Sequence, residues 1–277
     1  MTTPIALEDI ARQAIEGDRE ALDALARALQ GDIYGLALRM LWNREDAEDA
    51  TQEILVRIVT RLSQFDFRSR LKTWAYRVAV NYILDTKKSA IERLHLSFER
   101  FAEDLVGGLA PEAPNDAEDS LLIEEVKVGC SLAMLQCLDR PHRAAYVFGE
   151  IMELSGPEAA DALDISPDLF RKRLQHARQA IVEFMKSHCG LVSDSAACQC
   201  NRRVSRAALA SPDQAQPLQF ARRATSFQQA RALVRQVDET RWALEVHRTS
   251  EPYASSVDFA RRLVNAIDVS QDSTSSH

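Results

Sequence analysis

Apolar residues recur along most of this chain at steps of three and four, the spacing of one helix face, and alternating apolar-polar runs are almost absent. That pattern predicts an all-α protein. Residues 5 to 42 read as two helical pieces broken near Gly31 and Asp32, with Leu22, Leu25, Leu29, Leu36, Leu38 and Leu41 available to a bundle core. The next helix, from about Arg44 to Leu62, carries Ala47, Ala50, Ile54, Ile58 and Leu62 on one side. Asp46, Asp49, Glu53 and Arg57 form the stripe beside it. Clustered carboxylates suit a metal site, an acidic docking face or a plain solvated side. A di-metal bundle would bring Glu-x-x-His pairs on facing helices, which this sequence lacks, so docking is the preferred reading.

From Phe65 to Lys88 the pattern changes character. After Ser69, read as an N-cap, the positions Leu71, Trp74, Ala75, Val78 and Tyr82 define a predicted buried side. Arg70, Thr73, Arg77, Asn81 and Lys88 follow the same steps on a polar face, next to the edge of Tyr76. A solvated helix face can look like this too. Residues 65 to 100 hold eight Lys or Arg against four Asp or Glu, a local net of +4 in a chain whose formal net is -7. The balancing acidity lies just downstream: residues 101 to 126 hold eight Asp or Glu and no Lys or Arg. Within that stretch GGLAPEAPND breaks the periodicity and reads as a linker.

Beyond the linker a second helical unit begins with LLIEEVKVGCSLAMLQCL. Ser155 with Glu158 three residues on makes a capping-box start for a helix of about two turns faced by Ala159, Ala160 and Leu163. Asp164 and Ile165 then turn the chain, Ser166 caps, and Pro167 takes the first position of a longer helix. Its core positions Phe170, Leu174, Ala177, Ile181 and Phe184 repeat at four-three-four-three. This is a helix-turn-helix pattern. Its outer side offers Arg171, Lys172, Gln175, His176 and Gln179, side chains that match guanine and adenine edges in a major groove.

With 277 residues the chain is long enough for two or three compact units. No apolar run approaches the ~20 residues of a membrane span, and the start MTTPIALEDIARQ lacks the features of a signal peptide, so a cytoplasmic protein without membrane insertion is expected. Five Cys in such a length do not make a disulfide framework.

Two separated stretches point to one family. DAEDATQEILVRI with FRSRLKTWAYRVAVNYILD resembles the second region of bacterial sigma factors of the extracytoplasmic-function (ECF) group of the sigma-70 family. LQCLDRPHRAAYVFGEIMELSGPEAADALDISPDLFRKRLQHARQAI resembles their fourth region. The resemblance covers roughly residues 15 to 187. It implies a region 2-like helical domain over 1–100, an acidic linker over 101–118, a region 4-like helix-turn-helix domain over 119–187 and a Cys-containing, mostly helical C-terminal extension over 188–277. It further implies that Asp46, Asp49, Gln52 and Glu53 dock on core RNA polymerase. The minus-ten element would meet Val78 and Asn81 near an unstacked base, with Arg68, Arg70, Arg77, Lys87 and Lys88 on the backbone, and the minus-thirty-five element would meet Arg171, Lys172, Gln175 and His176. Asp164 replaces the glycine usual in the turn, and Gln175 and His176 are less basic than is common there. The expected partners are core polymerase and promoter DNA, with an anti-sigma factor as a candidate inhibitor.

The segment HCGLVSDSAACQCNRR resembles a Cys-rich motif that follows the fourth region in some members. His188, Cys189, Cys198 and Cys200 are the candidate ligands for a structural or sensory zinc ion, with His247 a substitute for the awkwardly placed His188; three reduced thiols in a loop are the competing reading. The expected function is an alternative sigma factor with no enzymatic activity. The alternative is a stand-alone helix-turn-helix regulator of transcription. A helical enzyme lacks any nucleophile-base pairing or phosphate loop to support it.

Overall fold

The computed structural model describes residues 6–87, 92–107, 120–203, 227–235, 245–247 and 255–274. Most of the acidic linker and Lys88 lie outside these residues. The described chain is helical, with no strand among the described residues and one isolated backbone bridge, between Cys189 and Cys198. It divides into two compact units, the first formed by residues 1–89, 156–167 and 254–277 and the second by 90–155 and 168–253.

The first unit is built on α1 (Leu7–Ile15), α2 (Arg19–Leu41), α3 (Arg44–Thr60) and α4 (Leu71–Asp85). The chain turns between α1 and α2 at Gly17, whose φ of +98° favours glycine, and Asp18 caps α2 by accepting from the Glu20 and Ala21 amides. The break expected near Gly31 and Asp32 is absent, because α2 runs straight through both. A mid-helix glycine costs only ~1 kcal/mol against alanine. Burial of Leu25, Leu29, Ile33, Leu36 and Leu38 on either side contributes roughly 1.5–3 kcal/mol per large side chain, so propagation wins. Asp32 is held instead as an acceptor for Lys72 Nζ at 2.7 Å and the Tyr76 hydroxyl at 2.8 Å. In α3, capped by Asn43 onto the Asp46 amide, Ala47, Ala50, Ile54 and Ile58 are buried as the periodicity requires.

Two distant segments complete this unit. α8 (Gly156–Ala162) packs on α4, and α11 (Phe259–Thr274), from the C-terminal end, packs on α2 and α3. Phe259 is buried with its ring 6.0 Å from that of Tyr34. Around it Arg27 pairs with Asp258 at 3.1 Å, and Ser255 donates to Glu48 at 2.9 Å.

The second unit holds α5 (Phe98–Gly107), α6 (Ser120–Gln136), α7 (Arg140–Tyr146) with a π-helical turn at Val147–Ile151, α9 (Pro167–His188) and α10 (Phe227–Arg235). Phe98 and Phe101 of α5 stack on Phe184 of α9, with centroids at 5.2 and 5.3 Å. The π turn brings Gly149 under α9, where a Cβ would lie 2.8 Å from the end of the Leu174 side chain, so a larger residue there would require Leu174 to shift. Glu92 is nearly buried and takes Arg140 at 2.7 Å and Arg143 at 3.0 Å. Arg143, 3% exposed, also donates to the carbonyls of Leu135 and Leu138.

Candidate polymerase and nucleic-acid interface

On α3 the acidic stripe faces outward: Asp46 and Asp49 are exposed, whereas Gln52 and Glu53 are half-buried. Glu53 accepts from Arg57 at 2.9 Å, and that guanidinium lies 4.7 Å over the Tyr82 ring. The two outer carboxylates, Asp46 and Asp49, are therefore the ones most open to solvent.

α4 is rotated from its expected orientation. Its buried side is Leu71, Thr73, Ala75, Tyr76, Ala79, Val80 and Ile83, so Thr73 and Tyr76 leave the polar face and Trp74, Val78 and Tyr82 move to half-exposed positions. The cause is tertiary, because the half-exposed carboxylate of Asp32 on α2 accepts from the Tyr76 hydroxyl and holds that ring against α2, where burial and that carboxylate push its hydroxyl pKa up. The Ser69 cap is not formed either. Arg70 occupies the N-cap position, and the carboxylate of Glu8, from α1, accepts from the Leu71 amide at 3.0 Å. The outward strip is then Arg70, Trp74, Arg77, Val78 and Asn81, one per turn or nearly so. Sequence periodicity missed Trp74, a flat apolar surface among cations, whose ring sits 5.5 Å from Phe65.

Of the other candidates, Arg68 and Lys87 are exposed, Arg68 beside Asp66 at 3.2 Å, and Lys88 lies outside the described residues. Two members of the strip face α8. Arg77 donates to the Asp161 carbonyl at 2.8 Å and pairs with its carboxylate, and Arg70 stands 3.6 Å from Glu158.

The helix-turn-helix follows the sequence closely. α8 begins after Ser155, Asp164 sits at φ +52° in the turn, and α9 opens at Pro167. An Asp tolerates that left-handed backbone better than most residues, which explains how the turn forms without its usual glycine. Arg171, Lys172, Gln175 and His176 are all exposed on α9; Arg171 pairs with Asp168, and the His176 ring lies 4.7 Å from that of His142.

The sigma-70 region 2 family matches residues 25–91, the segment that carries both the acidic stripe and the α4 strip. The ECF RNA polymerase sigma factor SigW of Bacillus subtilis is 26% identical over 61% of this chain and 91% of its own length. SigE of Mycolicibacterium smegmatis, also an ECF RNA polymerase sigma factor, is 28% identical over 65% of this chain and 68% of its own length. Over these residues the chain is similar to the sigma-70 family, and these two relatives are both of its extracytoplasmic-function group. Among solved structures, that of CnrH in complex with the cytosolic domain of CnrY covers 62% of this chain and 91% of its own at 22% identity, with a TM-score of 0.44. No described helix is long and apolar enough to cross a membrane.

The Cys-rich segment lies in the second unit, after α9. The Cys189 amide continues the helix by donating to Met185, and the Gly190 amide donates to the Cys198 carbonyl at 2.9 Å. His188 turns away, packing its ring 5.0 Å from Phe184, and His247 is buried edge-on to Tyr146 at 5.4 Å. Among the described residues no three His, Cys, Asp or Glu side chains stand ready to hold a metal ion. Burial pushes all five thiols up, Cys189 to about 11 and Cys137 to about 12.

Proposed function

We propose that this chain is an alternative sigma factor, which directs core RNA polymerase to specific promoters and performs no covalent chemistry of its own. The observation that carries the reading is one succession within the family-matched segment: the exposed carboxylates Asp46 and Asp49 on α3, then the strip Arg70, Trp74, Arg77, Val78 and Asn81 on α4. The first suits a basic protein surface. The second combines an aromatic face, an amide and guanidinium groups, the set that holds an unstacked base and its phosphates at a minus-ten element. Arg171, Lys172, Gln175 and His176 on α9 then read the minus-thirty-five element in the major groove, Arg and Lys on guanine and Gln on adenine. Work with polymerase and promoter DNA places the protein in the cytoplasm, and an anti-sigma factor is a candidate inhibitor.

Run-off transcription with core polymerase and genomic promoter fragments tests this. Defined start sites are expected only when the chain and the polymerase are both present. Reversing Asp49 and Glu53 to Lys is expected to weaken polymerase binding by on the order of several kcal/mol, through like-charge juxtaposition with a basic partner. The Glu53–Arg57 pair lost with it contributes only ~0.3–0.5 kcal/mol, too little to unfold the domain. A chain that binds duplex DNA unaided and never redirects polymerase would instead be a stand-alone helix-turn-helix regulator.

A further inference from the structure

The helix from the C-terminal end, α11, lies in the first unit against α2 and α3, and named contacts hold it there. Phe259, Ala260 and Leu263 are buried, with the Phe259 ring 6.0 Å from that of Tyr34. Beside them the Ala260 amide donates to the Gln30 side chain at 3.2 Å, and Arg27 pairs with Asp258 at 3.1 Å. Just before the helix, Arg44 donates to Ser256 at 3.3 Å and Ser255 donates to Glu48 at 2.9 Å. The receiving residues form one surface. Arg27, Gln30 and Tyr34 follow steps of three and four along α2, and Arg44 and Glu48 stand one turn apart on α3.

That surface adjoins the acidic stripe of α3. Gln52 follows Glu48 by four residues and so shares its flank of the helix, and Gln52 is one of the four candidate docking residues. It is half-buried, and its side-chain oxygen is buried with no hydrogen-bond partner among the described residues. Folded proteins rarely leave a buried acceptor unpaired, so with α11 in place this edge of the stripe is not in its fully satisfied arrangement. α11 also carries Arg261 and Arg262, both exposed, into the neighbourhood of α3, where positive charge opposes the approach of a basic partner.

The hold on α11 is slight. The Arg27 and Asp258 side chains are 46% and 44% exposed, so their pair contributes little, and the apolar anchor among the described side chains is the three residues already named. Elements held by few buried contacts and by exposed polar ones are those that open first.

We propose that this α2–α3 surface is a helix-binding site that α11 fills in cis, and that α11 must lift before core RNA polymerase engages α3. The proposal rests on the reading of α3 as the docking helix. α11 is then a latch: the apparent affinity for polymerase is the intrinsic affinity multiplied by the fraction of molecules in which the latch is open.

Hydrogen exchange on the full-length chain, alone and with saturating core polymerase, tests the latch without any substitution. Polymerase is expected to protect the amides of α3 and to expose those of residues 259–266. Phe259→Ala combined with Leu263→Ala, in the full chain, is expected to bind polymerase more tightly, by about tenfold if the latch is open in one wild-type molecule in ten. Protection of α3 with α11 still protected in the complex would overturn the latch and leave the docking reading standing. So would a folded double variant that binds no tighter than the wild type. If polymerase gave α3 no protection at all, the docking reading would fall and the latch with it. Should the double variant not fold, the exchange result on the wild type decides alone.

Discussion

Glu92 illustrates how one residue can hold a unit together from outside its regular elements. It sits in a short 3-10 turn, yet its carboxylate is shared by Arg140 and Arg143 at 2.7 and 3.0 Å, with the Glu92 and Arg143 side chains both 4% exposed. Burial alone would depress the Arg143 pKa, and Glu92 is the main group opposing that. Glu92→Ala leaves a buried guanidinium without its counter-charge, which typically costs ~3–5 kcal/mol. Urea unfolding of the full chain should show that loss in the transition of the second unit and leave the first unit's transition in place; a change under ~1 kcal/mol would mean water replaces the carboxylate. Nothing in the local sequence marks Glu92, because an acidic residue in a non-periodic stretch looks like any solvated loop residue. Thr73 and Tyr76 show the same limit in reverse, since their polar atoms suggested an outward face and the structure buries both.

At the scale of elements, α4 and α8 share a set of charges. Arg77 is engaged by the carbonyl and carboxylate of Asp161, and Arg70 stands near Glu158, so these guanidinium groups must leave acidic partners before they can meet phosphates. An exposed ion pair contributes at most ~1 kcal/mol. Asp161→Asn is therefore expected to tighten binding to a premelted minus-ten strand by up to about fivefold, the affinity equivalent of that energy. Asp85→Asn, which removes an exposed carboxylate of α4 itself, controls for simple charge. Equal gains from the two variants would show that net charge, not release of Arg77, sets the effect. The turn between α8 and α9 was by contrast legible: Asp164 and Pro167 are local signals whose chemistry acts within three residues, so no distant contact had to be foreseen.

For the whole molecule, the first unit is discontinuous, and its last piece comes from the C-terminal end. Phe259, Ala260 and Leu263 of α11 are buried on α2 and α3, and Asp258 anchors the helix by accepting from the Arg261 amide and pairing with Arg27. The Arg261 amide first, and Arg27 with it, hold the Asp258 carboxyl below its ordinary pKa. A depressed folded pKa contributes stability above the unfolded value, near pH ~4, and that contribution fades as pH falls through the folded value. Limited proteolysis is accordingly expected to cut between α10 and α11 faster as pH drops below ~4, and Asp258→Asn to show the faster cutting already at neutral pH. Protection unchanged by both would mean that Phe259 and its apolar neighbours hold α11 alone.

The sequence by itself determined the all-α class, the acidic stripe on α3, the exposed polar face of α9 and the resemblance that the paired motifs carry. Each depends on repeats or caps within a few residues, where helix geometry leaves one answer. Only the tertiary structure decided which side of α4 faces out, that α2 runs through Gly31 and that α11 returns to the N-terminal helices. In each of these the deciding partner lies tens to hundreds of residues away. Burial against such a partner outweighs local preferences of ~1 kcal/mol or less, and a linear pattern holds no record of it.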